Sequence, residues 1–525
     1  ALFQSTNGEA FASDLGSENY TFSNYATFDK LFNDRHNINV IVGTEYSNYN
    51  RRITSVTSQQ FPSDDLSTVS GGAEVTAGTG VNLTSSFLSY FARATYDLDG
   101  KYLLKASIRR DGSSRFGGNA RFGTFPAFSG GWIISEEDFL KSSETLSFLK
   151  LRASWGRLGN AEIGGDYPAK LLFSGVSYNQ RPGLAPVQPG NENLTWEQSE
   201  QTDFGVEFGF LDNRISGELD YYKKDTKKLL FEEPLVPSSG ASSINQNIGN
   251  LAGQGIEFVL NTKNIQTDNF SWSTNFNISK NTNELKSLPN DNADIVTGRH
   301  INRVGESVAA FYLREYAGVD PANGDALYYL NTENPDGSIN RDTTNDPDEA
   351  QRVVAGNPFP ELTAGLTNTL LFDNFDFTFT FQGEWGASIY NGGGIYQSVN
   401  ADYFDNQTVD QLNRWQQPGD ITNVPQARLY AGNGTAHSTR FLADADFIRL
   451  RNISLGYSLP NTVIDKMGLS KLRVYLTAIN LLTITNYPFE DPEARSDVNG
   501  QNTPGETFYS SPPAKTITVG VNINF

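Results

Sequence analysis

Three histidines, His36, His300 and His437, are the side chains of this 525-residue sequence best suited to proton transfer or metal binding. Their spacing points to neither. No pair stands at the interval that places two imidazoles on one helix face, and no HExxH run occurs, so a metal or catalytic histidine would require proximity created by the fold. Cysteine is absent, which removes thiolate metal sites, disulfides and a cysteine nucleophile. A GxSxG elbow, a P-loop and a dinucleotide fingerprint are also missing. Gly392–Gly394 is a glycine run in a long loop without strand-to-helix context and reads as a flexible turn. The 60 Asp and Glu offer many carboxylate pairs. A glycosidase needs two carboxylates about 5–10 Å apart, which spacing along a chain does not show, and solvated loop and channel charge is the plainer reading. The sequence therefore predicts no enzyme and no cofactor.

Two stretches keep a binding reading open. In ENPDGSIN, Asn334, Asp336, Ser338 and Asn340 flank Gly337 and faintly echo the alternating oxygens of a calcium loop. The anchoring positions would fall on Thr332 and Thr343, neither a carboxylate, so a polar β-turn at Pro335-Asp336-Gly337 is the alternative. The loop 388–444 carries Tyr390, Tyr396, Tyr403, Phe404 and Trp415 among Asn, Gln and Asp. Sugars stack on aromatic faces and hydrogen-bond to amides and carboxylates, so these five are candidate substrate contacts. The same residues suit an interface with a second protein, or packing against one another.

Strands must position these residues. Lys and Arg number 40, so the net charge is -20, which disfavours a nucleic-acid partner. Aromatics reach 12%, too many for a disordered chain, and Phe, Tyr, Thr, Val and Ile suit strands. From Phe375 to Trp385 the chain reads FDFTFTFQGEW: Phe375, Phe377, Phe379, Phe381 and Trp385 share one face, while Asp376, Thr378, Thr380, Gln382 and Glu384 share the other. The alternation recurs at Phe204–Phe210, at Phe270–Ser279 and from Thr516 to Phe525. A half-buried sheet of a soluble domain shows such alternation, and so does a membrane barrel with a lipid-facing wall and an aqueous lumen. The length of the strands favours the barrel, since crossing the hydrocarbon takes about 9–11 residues. Asp203, Glu207, Glu218, Asp220, Asp376 and Glu384 are then expected to face the lumen, and Phe375, Trp385, Trp272 and Tyr221 to join the interfacial aromatic girdle.

About fifteen strands follow from this pattern, near 18–31, 36–50, 84–98, 101–111, 121–134, 147–158, 194–211, 213–230, 250–262, 268–281, 361–373, 375–388, 445–459, 470–482 and 514–525. Short turns alternate with long polar connections near 51–84, 159–193, 232–250, 283–360, 388–444 and 484–513, the outer-membrane pattern of periplasmic turns and extracellular loops. No run reaches about 18 apolar residues, so no transmembrane helix is expected, and the first residues lack the charged and apolar regions of a signal peptide. Strand parity makes residues 1–17 the remnant of an extracellular loop and residues 18–525 the C-terminal part of a barrel. An odd count does not close a bacterial barrel, so the sequence predicts missing N-terminal strands.

YDLDGKYLLKASIRRDGSSRFGGNARFGTFPAFSGGW (96–132), LKLRASWGRLGN (149–160) and NENLTWEQSEQTDFGVEFGFLDNRISGELDYYKKDTKKLL (191–230) resemble SusC/RagA-type TonB-dependent outer-membrane transporters. NIGNLAGQGIEFVLNT (247–262), YAGVDPANGDALYY (316–329), ADFIRLRNISLGYSLP (445–460) and LRVYLTAINLLTITNY (472–487) continue the resemblance in order to Phe525. It implies a 22-stranded barrel with a plug in its lumen, of which this chain holds the last fifteen or so strands without plug or first strands. It further implies a Gram-negative, Bacteroidetes-like outer membrane whose lipid surrounds the barrel, a SusD-like surface lipoprotein as lid, and TonB acting through the missing N-terminal segment. The implied function is import of oligosaccharides or peptides. A non-transporting barrel or anchor, and a secreted soluble β-rich carbohydrate-binding protein, are the alternatives.

Overall fold

Two-residue periodicity becomes one large sheet. The computed structural model describes residues 7–179, 181–398, 406–495 and 504–525. Fifteen strands pair in the order in which they occur along the chain. They are β1 (Glu9–Phe32), β2 (His36–Gln59), β3 (Glu74–Leu98), β4 (Tyr102–Ser113), β5 (Phe122–Ile133), β6 (Leu146–Asn160), β7 (Glu197–Phe210), β8 (Ile215–Lys227), β9 (Asn250–Gln266), β10 (Phe270–Ser287), β11 (Leu362–Phe372), β12 (Phe375–Trp385), β13 (Phe447–Ser458), β14 (Lys471–Thr485) and β15 (Thr516–Asn524). Among the described residues helix is confined to short turns, and no helix is long and apolar enough to cross a membrane.

The tight turns sit where the sequence places them, and residue chemistry explains why. Asn33 and Asp34 adopt positive φ between β1 and β2, as do Asp99 and Gly100 between β3 and β4 and Asp373 between β11 and β12. Asn, Asp and Gly tolerate the left-handed region that such turns demand.

At the opposite strand ends the structure differs from the sequence reading. Residues 1–17 are read above as a loop remnant, yet from Glu9 onward they are strand, paired with β2 from Glu9↔Gln59 to Phe32↔His36. The connection read at 51–84 is likewise shortened, because β2 continues to Gln59 against a β3 that begins at Glu74. Apolar residues are sparser in these extensions, among them Phe11, Leu15, Ile53 and Val81, and do not recur at every second position, so the alternation that betrays the rest of the strand is broken. Backbone pairing, which leaves no periodic trace in side chains, holds them together.

The chain divides into two compact units. The first comprises Ala1–Trp132, Arg152–Thr202 and Lys224–Asn250. Its core gathers Phe116, Phe125, Ile163, Leu194 and Trp196. The Trp196 ring lies 5.2 Å from Phe116 and 5.3 Å from Phe125, and its Nε1–H donates to the Arg121 carbonyl at 2.9 Å. These are residues of the two longest resembling blocks, so the motif there is a packing device. Gly117 belongs to it: a Cβ there would sit 2.0 Å from the Glu192 carbonyl oxygen.

The second unit comprises Ile133–Leu151, Asp203–Lys223 and Leu251–Phe525. Its long connections, read from sequence as polar loops, carry small sheets of their own. Ile295–Thr297, His300–Asn302, Ala310–Arg314 and Arg352–Gly356 form one, and Tyr316–Val319, Ala326–Tyr329 and Thr343–Thr344 another. Ser388–Asn391 pairs with Leu442–Asp444 on one side and with Glu506–Thr507 on the other. Strands of two to five residues contain too few alternations to announce themselves.

Candidate functional site

The second unit carries two rows of side chains that run straight across six strands. Ser273 of β10 pairs with Thr369 of β11, which pairs in turn with Thr378 of β12, Ser454 of β13, Thr477 of β14 and Thr518 of β15. Six consecutive strands thus present a hydroxyl at one level of one face. One residue away lie Trp272, Leu370, Phe377, Leu455, Leu476 and Val519, again in register. Successive residues of a strand point to opposite sides, so the sheet here is a wall with a hydroxyl side and an apolar side. Hydroxyls bond along and beside the row: Ser454 to Thr477 at 3.2 Å and Thr367 to Thr380 at 3.0 Å. A hollow of about 240 Å³ opens beside its end, lined by Asn213, Ser216, Asn261, Ser273 and Thr369.

The apolar side carries a polar pair, Asn368 of β11 and its cross-strand partner Thr274 of β10. Asn368 lies at the level of Phe379 and is 6% exposed. Trp272 Nε1–H and the Thr274 hydroxyl both donate to its Oδ1, at 2.8 and 2.7 Å. These bonds satisfy the buried amide oxygen.

Charges on the polar side are paired. Asp376 accepts from Arg473 Nε at 2.9 Å, Lys150 Nζ lies 2.9 Å from Glu207, and Arg495 lies 3.5 Å from Glu384. Arg449, 1% exposed, donates to both oxygens of Asp491 at 2.8 and 2.6 Å. Neighbouring Arg451 reaches Gln382 at 2.8 Å and also bonds Glu493. Pairing between β12 and β13 shifts by one residue between Leu450 and Asn452, a bulge that makes Arg451 the extra residue. The stretch after β14 is thereby fastened to the wall by its own two carboxylates.

Of the five loop aromatics singled out from sequence, Tyr403 and Phe404 lie outside the described residues. The other three do not share one surface. Tyr390 is fully buried in a cluster with Phe311, Leu313 and Phe441. Trp415 is 5% exposed, its ring N–H donating to the Pro321 carbonyl at 3.1 Å. Tyr396 is half-buried, its ring 5.9 Å from Phe508.

Around Tyr390 the long connections converge. Arg299 grips Glu506 through both guanidinium edges, with Nε to Oε1 at 3.0 Å, and its guanidinium stacks 4.9 Å from the Tyr390 ring. His437 Nδ1 is 2.9 Å from the Tyr390 hydroxyl, and its Nε2 is 3.4 Å from Arg299 Nη1. His300 Nε2 donates to the Pro504 carbonyl at 3.0 Å, and its Nδ1 lies 3.6 Å from Glu506 Oε1. Burial lowers the basicity of both imidazoles, with Glu506 opposing in each case, and burial pushes the Tyr390 phenol up. Two of the three histidines thus meet in one network, which no spacing announced. His36, by contrast, stands apart with its Nδ1 2.8 Å from the Tyr96 hydroxyl. Among the described residues no group of three or more His, Cys, Asp or Glu gathers to hold a metal.

The 332–343 segment is a hairpin. Gly337 N–H donates to the Asn334 carbonyl at 2.9 Å, and Glu333 bridges Ile339. The Asp336 carboxylate accepts from the Ser338 backbone N–H at 2.9 Å and its hydroxyl at 2.6 Å. Those bonds hold its carboxyl below the ordinary range.

The chain is similar to known proteins. The profile described as TonB dependent receptor-like, beta-barrel, matches residues 2–320. The chain is 33% identical to TonB-dependent receptor P3 of Formosa agariphila, over 99% of this chain and 53% of that protein. It is 32% identical to TonB-dependent receptor SusC of Bacteroides thetaiotaomicron, over 84% of this chain and 44% of SusC. Among solved structures it is similar to the RagAB peptide transporter, with a TM-score of 0.87, 28% identity, and 98% of this chain and 56% of that chain covered. The chain spans about half the length of the curated relatives it matches.

Proposed function

Because this chain belongs to the SusC-like TonB-dependent receptors, an outer-membrane β-barrel family, we propose that it is the C-terminal barrel portion of an energised nutrient importer. Its fifteen strands are read as part of a 22-stranded barrel whose remaining strands and plug lie in a preceding segment, through which TonB acts. A SusD-like surface lipoprotein caps the mouth. Oligosaccharides or peptides are the cargo, and likeness to RagAB, a peptide transporter, supports the peptide class.

The observation that carries this reading is the pair of in-register rows on β10 to β15. An apolar row as long as the hydroxyl row, with Leu455, Leu476 and Val519 all more than 40% exposed, is costly in water and at home in lipid. The hydroxyl row then lines the lumen, where neutral donors and acceptors hydrogen-bond passing glycan or peptide groups without holding them by charge. No covalent step is assigned to the chain. Wall, plug and lid act by fit, hydration and hydrogen bonding. Tyr396, Tyr403 and Phe404 are assigned to lid or substrate contact, whereas Tyr390 and Trp415 are buried and are assigned to packing within the long connections.

Spin labels at Phe377 and Phe379 test the premise. In reconstituted membranes both labels are expected to be relaxed by lipid-soluble oxygen and shielded from water-soluble nickel chelates. Shielding from both reagents would place the rings inside a soluble core, as a secreted carbohydrate-binding protein requires. Lipid exposure together with normal growth on every oligosaccharide and peptide after deletion would favour a non-transporting barrel. Co-purification of a plug-bearing segment and a surface lipoprotein is the expected companion result.

A further inference from the structure

The junction around Arg299 contains two histidines whose proton positions are dictated by their partners. A guanidinium only donates, so His437 Nε2, at 3.4 Å from Arg299 Nη1, must accept. The proton of neutral His437 therefore sits on Nδ1 and points at the Tyr390 hydroxyl, 2.9 Å away. A carbonyl only accepts, so His300 must carry its proton on Nε2, toward Pro504. Its bare Nδ1 faces the Glu506 carboxylate at 3.6 Å.

Adding a proton has opposite consequences at the two rings. At His437 it lands on Nε2 and sets donor against donor and cation against cation with Arg299. Arg314 and Arg352 oppose that charge as well, and only Glu506 favours it. At His300 it lands on Nδ1 and creates a charge-assisted hydrogen bond to Glu506, opposed by Arg299. His300 and Arg299 belong to connection 283–360, His437 and Tyr390 to 388–444, and Glu506 and Pro504 to 484–513.

We propose that this junction is an acid-sensitive clasp: protonation frees the His437 segment of connection 388–444 from Arg299 while fastening the Pro504–Glu506 segment more firmly to His300. The Arg299–Glu506 pair persists throughout, so the release is local to one of the three connections. This inference rests on donor and acceptor geometry and stands independently of the transport assignment.

Burial holds both imidazoles below their ordinary basicity, so the clasp is closed at neutral pH and opens as acid protonates His437. Hydrogen exchange of the detergent-purified full chain, followed by mass spectrometry and corrected for the intrinsic pH dependence of exchange, reads it. Between about pH 7.5 and a second pH below the His437 midpoint read by NMR, exchange in peptides covering 435–441 is expected to rise about fivefold, while peptides covering 504–507 exchange no faster. His437→Gln keeps an acceptor for Arg299 but does not titrate, and should stay protected at both pH values. His300→Gln should leave the release at 435–441 in place. Equal protection of the wild type at both pH values, or an acid response that survives in His437→Gln, would overturn the proposal. Should His437→Gln fail to fold, NMR titration of the His437 ring in the wild type decides instead. Release of 435–441 must track the midpoint of those signals, and release at a different pH would overturn the clasp.

Discussion

Arg299 and Glu506 lie 207 residues apart and form a two-pronged ion pair around a carboxylate that is only 1% exposed. Removing one partner of such a pair leaves a buried charge without compensation. Arg299→Met is therefore expected to destabilise the junction by about 3 kcal/mol, the low end for buried pairs because Arg299 itself keeps some exposure. Protease cleavage within 388–444 should accelerate accordingly. Adding Glu506→Met to the same chain should recover much of the loss, since an apolar replacement of both partners restores packing without a stranded charge. If the double variant is no more resistant than the single one, the pair is not the element that holds the connections.

The two faces of β12 should respond oppositely to a charge. Phe379→Arg places a guanidinium on the apolar side and is expected to cost about 2–4 kcal/mol if that side meets lipid near the bilayer centre. Thr378→Arg, one residue earlier, puts the same group on the hydroxyl side and should assemble nearly normally. Heat-modifiable migration on gels after membrane extraction compares the folded fractions. Equal tolerance at both positions would contradict a lipid-facing wall.

The hydroxyl row can be silenced without changing its shape. Thr369→Val, Thr378→Val and Thr477→Val preserve volume and β-branching and remove three hydroxyls. Assembly and melting should change little, because each of these groups is a half-exposed hydrogen bonder. Uptake by the complete transporter is expected to fall several-fold, since three neutral partners for passing cargo are lost. Unchanged uptake would separate the row from the cargo path.

One ion pair in the long connections predicts an acid response with a defined sign. Arg341 hydrogen-bonds both oxygens of Glu315 at 2.7 Å and holds that carboxyl below its ordinary range. The folded value lies below the unfolded one, so the stabilisation is present above about pH 4.3 and disappears as pH falls through the lowered value. Arg341→Gln should return Glu315 toward ordinary titration in carboxyl-detected NMR. An unmoved midpoint would show that the pair is not formed in solution.

Gly324 is a steric keystone for Trp415. Its φ is +78°, and a Cβ there would meet the indole at 2.6 Å and Gln426 Cβ at 2.7 Å. Gly324→Ala combines an unfavourable backbone region with overpacking and should cost about 2 kcal/mol, read as faster proteolysis within 409–433. Wild-type resistance would mean that the indole shifts freely.

Alternation in the sequence was sufficient to place the strands of the large sheet, because a strand exposed to two different media writes that difference into every second residue. FDFTFTFQGEW states its own two faces, and the lumen candidates Asp376 and Glu384 fall on the polar side with their arginine partners. Asn-Asp and Asp-Gly turns were legible for the same local reason. Only tertiary structure decided what happens wherever partners come from distant chain. The outer parts of β1, β2 and β3 have only a broken alternation to read and are completed by backbone pairing. The six-residue rows require the registers of six strands at once. Tyr390 and Trp415 looked like surface aromatics among polar neighbours, yet burial depends on Phe311, Phe441 and Pro321, which no spacing connects to them. His300 and His437 looked isolated because an imidazole leaves no mark on the residues beside it in sequence. Their meeting is produced by Glu506, whose carboxylate draws Arg299 into the junction across the whole length of the long connections.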